Sequence, residues 1–218
     1  MIRLMKIEDY YSVYKLWEEA EEVCINPQDD TYEKIAKTKA GIIKPSIPFV
    51  TMETKKECLD IFESILKNNS SYMIKVDQIN DLKLIDHQVH FKYKNICFIL
   101  NTSALYQAYN SVLAYEMIQY LNCHHYIQIE LDHILNSLKN ASWKGRFETI
   151  SIKPHIIIDG AHNREGIDAF IETAKHFNNK KIIFSALKDK DSDYMISRLL
   201  SICDDLTICE FDFYRAQD

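Results

Sequence analysis

Apolar positions change period twice along this 218-residue chain. In the first third they recur at three- and four-residue spacing. Ile7, Tyr10, Val13, Tyr14 and Trp17 share one face of an acidic amphipathic helix that follows a short strand-like start, Ile2-Arg3-Leu4. Asn26-Pro27-Gln28-Asp29-Asp30 is polar and turn-forming, and marks a boundary. A second helix is expected over 32–38, ending in Lys39-Ala40-Gly41-Ile42-Ile43-Lys44-Pro45, then a strand over 47–51. Residues 55–68 read as a helix with Cys58, Ile61, Phe62, Ile65 and Leu66 inward. Between Tyr72 and Leu100 the period shortens to that of strands, in four apolar runs broken by Asn, Asp and Lys-Asn turns, which predicts a small antiparallel meander.

Helical spacing returns over 104–122 and 127–138. After Trp143 the order becomes strand 154–158, helix 164–177, strand 181–186, helix 191–203 and strand 206–211, an alternation that predicts a parallel βαβ sheet. From Ser142 the chain reads as a loop ending in Gly145-Arg146-Phe147-Glu148, before the strand that starts at Pro154. Three of the chain's four glycines, 145, 160 and 166, fall within 142–170, and each is expected to hold a backbone position that tolerates little else.

Composition narrows the function classes. Twenty-six basic against 32 acidic residues give a net charge of −6, with no electrostatic footprint for nucleic acid or an anionic membrane. No stretch approaches the roughly 18–20 apolar residues of a membrane span, and Met1 to Tyr11 carries no signal-peptide core, so a cytoplasmic setting is the expectation. The six cysteines are scattered without a CxxC pair and read as reduced small hydrophobes.

The candidate chemistry lies at a few points. Asp159-Gly160-Ala161-His162-Asn163 stands where a strand meets a helix, the edge at which open α/β sheets bind ligands. Asp159 there suits a ribose or a cation, and equally suits a helix cap. Arg146 on its loop suits bidentate phosphate contact, or simple solvation. Lys39 before Gly41 reads as a helix C-terminal lysine. Gln107 and Asn110 lie one turn apart, so both amides can point one way. His124 and His125 are adjacent and diverge by about 100° on a helix, which disfavours shared metal binding. Neither GxxxxGK[ST] nor GxGxxG occurs in the sequence, so it has no phosphate-cradling glycine loop.

Taken in order, several stretches resemble the folylpolyglutamate synthase and dihydrofolate synthase family, within the wider Mur-ligase-like group. They are residues 31–45, Tyr106-Gln107-Ala108-Tyr109-Asn110, Trp143-Lys144-Gly145-Arg146-Phe147-Glu148, Ile158-Asp159-Gly160-Ala161-His162-Asn163, Ala186-Leu187-Lys188-Asp189-Lys190-Asp191, and Glu210-Phe211-Asp212 with Arg215-Ala216. The resemblance implies an α/β fold: a partial Mur-ligase-like central domain with the meander, then a Rossmann-like C-terminal domain with a parallel sheet. The expected division is 1–30, a strand-helix extension; 31–142, a truncated central ATPase-like domain; and 143–218, an incomplete C-terminal ligase domain.

The implied activity is ATP-dependent addition of L-glutamate to a tetrahydrofolate- or dihydropteroate-type substrate through an acyl phosphate, with magnesium. By motif, Lys39 resembles the lysine that is carbamylated near magnesium. Asn110, Arg146 and Asp159 resemble ATP contacts, and His162 with the 188–191 loop resembles the part that closes on the reacting groups. Thr38 departs from the acidic residue usual before the motif lysine, and the family's P-loop region has no counterpart in this sequence. The expectations that follow are weak activity by this chain alone, a complementing P-loop fragment or self-association, and exposed apolar surface on the meander. A non-catalytic, partner-dependent fragment is the alternative. A second alternative rests on residues 1–30, which are similar to the opening strand and helix of GNAT acetyltransferases without that fold's pyrophosphate loop.

Overall fold

The computed structural model describes residues 32–187 and 190–209. The expectations for residues 1–31, for Lys188-Asp189 and for 210–218 lie outside that span.

Helix α1 (Tyr32–Lys39) runs through a 3-10 turn (Ala40–Ile42) toward strand β1 (Phe49–Thr51); helix α2 (Lys56–Asn68) then leads to strand β2 (Met73–Lys75). The α2 stripe predicted from spacing buries Cys58, Phe62 and Leu66 against Ala36, Ala40 and Ile43, and Phe49 meets Phe62 edge to face at 5.1 Å. β1 pairs with β2 in parallel, Phe49 opposite Met73. The first of the four strand-like runs therefore does not join the meander. It closes a βαβ unit, because α2 returns the chain in the direction in which it left.

The other three runs form the antiparallel order β3 (Asn80–Ile85), β4 (Gln88–Tyr93), β5 (Ile96–Leu100). Strict alternation on β4 buries Val89, Phe91 and Tyr93, and Phe91 stacks on Phe98 of β5 at 4.8 Å. Helices α3 (Gln107–Cys123) and α4 (Leu131–Asn140) cover that face with Ala108, Val112, Tyr115 and Ile134. The face carrying Val89, Phe91 and Tyr93 thus finds its cover within the chain, while Tyr72, Ile85 and Ile99 are exposed. Each large side chain among these, such as Val112 or Ile134, contributes roughly 1.5–3 kcal/mol on removal from water before the entropy of ordering is set against it. One carboxylate lies in this layer. Glu116 accepts from the Tyr93 hydroxyl at 2.8 Å and from Lys94 Nζ at 2.7 Å, and burial together with that hydrogen bond pushes the Tyr93 phenol up to about 12.

The C-terminal part departs further from expectation. The stretch between the expected loop and the expected strand forms strand β6 (Glu148–Ile152), which makes an antiparallel hairpin with β7 (His155–Ile158) across a cis Lys153-Pro154 bond. Helix α5 (Arg164–Ala174), strand β8 (Lys181–Phe184), helix α6 (Ser192–Leu200) and strand β9 (Asp205–Ile208) follow. β8 and β9 pair in parallel as expected, Ile183 opposite Thr207, but among the described strands β7 pairs only with β6. The predicted parallel sheet is thus a hairpin and a parallel pair placed side by side. Both helices pack on one face, where Ile167, Ile171, Phe184, Met195 and Leu199 are buried. Cys58, Cys97, Cys123, Cys203 and Cys209 carry free thiols, as expected.

Candidate functional site

Asp159 follows β7, and every polar direction of its carboxylate toward the protein is used. Oδ2 accepts from the Tyr106 hydroxyl at 2.7 Å and from the Phe147 N–H at 2.8 Å, while Oδ1 accepts from the Ala161 N–H at 2.7 Å. One side chain therefore ties the entry to α3, the loop before β6 and the turn after β7. Tyr106 is half-buried, and its phenol is held above the usual range by burial and by the carboxylate it donates to. Next to that clasp, the Leu105 N–H donates to Thr173 Oγ1 at 3.0 Å; Thr173 is fully buried in α5.

The clasp aims a cation. The Gly160 N–H donates to the Gly145 carbonyl at 2.8 Å, and a side-chain carbon at Gly160 would stand 3.5 Å from Arg146 Nη1, so the guanidinium lies over the turn. The loop carrying Arg146 is pinned by the Gly145 N–H, which donates to Glu148 Oε2 at 2.7 Å. Gly145 has φ +68°, a backbone state that glycine supplies at little cost. Arg146 is exposed on the wall of a groove of about 880 Å³ between α3, the end of α4 and this loop. Asn110, Gln107, Trp143 and Lys144 line the same groove. Asn110 Nδ2 donates to Gln107 Oε1 at 2.9 Å, so the two amides do point one way. An exposed guanidinium, a lysine, two amides and an indole that is 76% exposed suit an anionic ligand with a flat ring.

Asp159 does not cap α5. That role falls to Asn163, whose side chain accepts from the Gly166 N–H at 2.8 Å. A side chain at Gly166 would stand 2.8 Å from that same oxygen, which accounts for the glycine, whereas Gly41 and Gly160 have ordinary space and no left-handed backbone.

The Mur ligase, glutamate ligase domain family matches residues 145–218. The dihydrofolate synthase/folylpolyglutamate synthase of Bacillus subtilis is 34% identical over 206 residues, covering 88% of this chain and 47% of that protein. The chain belongs to the folylpolyglutamate and dihydrofolate synthase family. The folylpolyglutamate synthase of Lacticaseibacillus casei is 29% identical over 78% of the chain and 42% of its own length. Among solved structures, an FPGS–AMPPCP–folate complex matches at TM-score 0.70 and 26% identity, over 81% of this chain and 46% of that one. Mycobacterium tuberculosis folylpolyglutamate synthase shares the fold at TM-score 0.75 and 21% identity. The chain spans about half the length of the family members it matches.

Of the five residues expected from the family motifs, the fold brings Asn110, Arg146 and Asp159 into one region. His162 sits on the same turn, exposed, with Nδ1 2.8 Å from the Gly160 carbonyl. Lys39 is elsewhere: it is exposed at the end of α1 beside the Cys58 region, and no described hydrogen bond or ion pair joins it to the other four. Asp191, from the 188–191 loop, caps α6 and pairs with Arg164, which holds its carboxyl below the usual range. Among the described residues no three His, Cys, Asp or Glu side chains converge as a metal centre. Tyr106 and Thr173 were not predicted. They act on partners 53 and 68 residues away, a distance at which no sequence spacing gives a signal.

Proposed function

We propose that this chain supplies the nucleotide-contacting and glutamate-ligase part of an ATP-dependent carboxylate–amine ligase. ATP transfers its terminal phosphoryl group to a carboxylate of a tetrahydrofolate- or dihydropteroate-type substrate, and the amine of L-glutamate displaces phosphate from the acyl phosphate. The observation that carries the reading is Arg146, standing over the Asp159-Gly160 turn and sharing one groove with Asn110. Support comes from the B. subtilis relative, named for both synthase activities, and from the FPGS–AMPPCP–folate complex.

In this reading Arg146 holds phosphate oxygens, Asn110 contacts the nucleotide, and Asp159 acts by fixing both. Transfer of a phosphoryl group depends on positioning and charge neutralisation, which a pre-tied loop provides without reorganising. His162 is assigned to the reacting groups. The chain divides at residue 142 into a central part and a C-terminal part, fastened together by the Tyr106 and Leu105 hydrogen bonds.

A second reading, that the chain works only with a partner, is favoured by Lys39. Carbamylation needs an uncharged amine and a cation-rich enclosure, and Lys39 is exposed. In this reading the enclosure, the phosphate cradle and the ligands for magnesium come from the partner. The acetyltransferase alternative rests on residues outside the described span and is not carried forward. Purified chain should bind ATP and fail to release ADP in a glutamate-dependent way until a P-loop-bearing family fragment is added. Glutamate-dependent ADP release by the chain alone would exclude the partner-dependent reading, and absence of ATP binding at millimolar nucleotide would remove the first.

A further inference from the structure

Thr173 is fully buried in the last turn of α5, and its hydroxyl oxygen accepts from the Leu105 N–H of the central part at 3.0 Å. A buried hydroxyl is unfavourable unless it is bonded, and valine would fill the same space without one, so the contact itself is what threonine supplies. It is made where α3 has no side-chain cap of its own. Leu105 and Tyr106 open that helix. The Leu105 carbonyl accepts from the Ala108 N–H at 3.1 Å, and the Tyr106 carbonyl accepts from the Asn110 N–H at 3.4 Å. Asn110 is therefore one hydrogen-bonded turn away from the two residues that Thr173 and Asp159 hold.

The two ties fix different things. Asp159 is bonded to the Phe147 N–H as well as to the Tyr106 hydroxyl, so it travels with the Arg146 loop. A tie through the tip of a tyrosine side chain leaves α3 free to swing about that hydroxyl. The Thr173 tie reaches the backbone one residue away, and it comes from the far end of α5, a helix of 11 residues and so roughly 16 Å long. Two ties in different places remove the swing that one allows. On the same side the Ser103 hydroxyl donates to the His87 carbonyl at 3.3 Å, and the His87 ring lies 6.0 Å from that of Phe177, just past α5. Ala104, Phe147 and Ala174 are buried together beside these contacts.

We propose that Thr173 is a positioning residue of the nucleotide site. It touches no ligand; by locking the first turn of α3 it sets the span between Asn110 on that helix and Arg146 on its loop. This role rests on the reading of Asn110 and Arg146 as nucleotide contacts. A ligand gripped from two parts of a chain binds well only where the span between them is fixed beforehand, because any swing must be frozen on binding. The coupling is reciprocal: if the tie strengthens ATP binding, bound ATP strengthens the tie by the same factor.

The test is calorimetric titration of ATP with magnesium into the full chain and into Thr173→Val, Thr173→Ser and Met195→Ala, with amide hydrogen exchange of the parent in the presence and absence of ATP. Thr173→Val should bind at least about fivefold more weakly, and Thr173→Ser, which keeps the hydroxyl, should recover most of that loss. Met195→Ala, destabilised among Ile167, Ile171, Phe184 and Leu199, should bind like the parent. The Leu105 amide should exchange at least about fivefold more slowly with ATP bound. Equal binding by the parent and Thr173→Val overturns the role and leaves the nucleotide reading standing. So does a loss in Met195→Ala as large as that in Thr173→Val, which would make the effect one of general stability. A Leu105 amide that bound ATP does not slow overturns it as well, and that measurement decides if Thr173→Val does not fold. No binding by the parent at millimolar ATP removes the nucleotide reading and this role with it.

Discussion

Asp159→Asn is the substitution that most directly probes how the site is held. The carboxylate accepts from two backbone N–H groups and one hydroxyl, two on Oδ2 and one on Oδ1. An asparagine has a single acceptor oxygen. If that oxygen takes the Oδ2 position, the amide NH2 faces the Ala161 N–H; if it takes Oδ1, the NH2 faces the Phe147 N–H, while the Tyr106 hydroxyl can turn to accept. Either way one backbone donor confronts another donor, and the bonds that remain lose their ionic acceptor. Removing one hydrogen bond to a charged group and orphaning its partner costs about 2–4 kcal/mol. Tyr106→Phe removes only the hydroxyl and leaves Asp159 with two donors, so about 1.5–2 kcal/mol is expected. Urea unfolding of the parent, the two single variants and the double variant, which closes a double-mutant cycle, should return a coupling of about 1–2 kcal/mol between the two positions. A loss below about 0.5 kcal/mol for Asp159→Asn, or strict additivity, would refute the clasp.

Other consequences follow from the same contacts. Thr173→Val, nearly isosteric at a fully buried position, leaves the Leu105 N–H without its acceptor and should lower stability by about 1–3 kcal/mol in the same unfolding assay. Met195→Ala, also fully buried, should cost about 2–5 kcal/mol and loosen β8 and β9 together, read as faster amide exchange on both strands. Asp168 is held below the usual carboxylate range: burial pulls it upward, but hydrogen bonds from the Tyr194 hydroxyl and Arg198 outweigh that. Its contribution is therefore present above the unfolded value of about 3.9 and is lost as pH falls through the depressed one. Thermal unfolding should find Arg198→Gln less stable than the parent at pH 6 and the difference shrinking below about pH 4.

The sequence was most informative where one period persists. Helices α2, α3 and α4 and strands β3 to β5 fall within a few residues of their predicted spans, because a buried stripe imposes its own spacing. Strand β6 was missed because Glu148-Thr149-Ile150-Ser151-Ile152 keeps one face polar and holds its place through the hairpin with β7, not through burial of its own. The partner of a strand is also not written locally. β2 pairs with β1 across α2, and β7 stays apart from β8, because both outcomes depend on what fills the space beside the strand. At the site, motif resemblance located Arg146, Asn110 and Asp159, but not what Asp159 does. A carboxylate after a strand reads equally as a ligand group or a helix cap, and only the approach of Tyr106 and Phe147 makes it a clasp. Lys39 shows the converse, since its motif context implied an enclosure that the described residues do not build.

The nucleotide-contact role of Arg146 is tested most directly by calorimetric titration of ATP with magnesium into the full chain and into Arg146→Ala, with Lys67→Ala, exposed on α2, as the control. Loss of a guanidinium–phosphate contact is worth about 1.5–3 kcal/mol, so the parent and Lys67→Ala should bind alike and Arg146→Ala at least about tenfold more weakly. Undetectable binding by the parent at millimolar ATP, or an affinity that Arg146→Ala leaves unchanged, would contradict it.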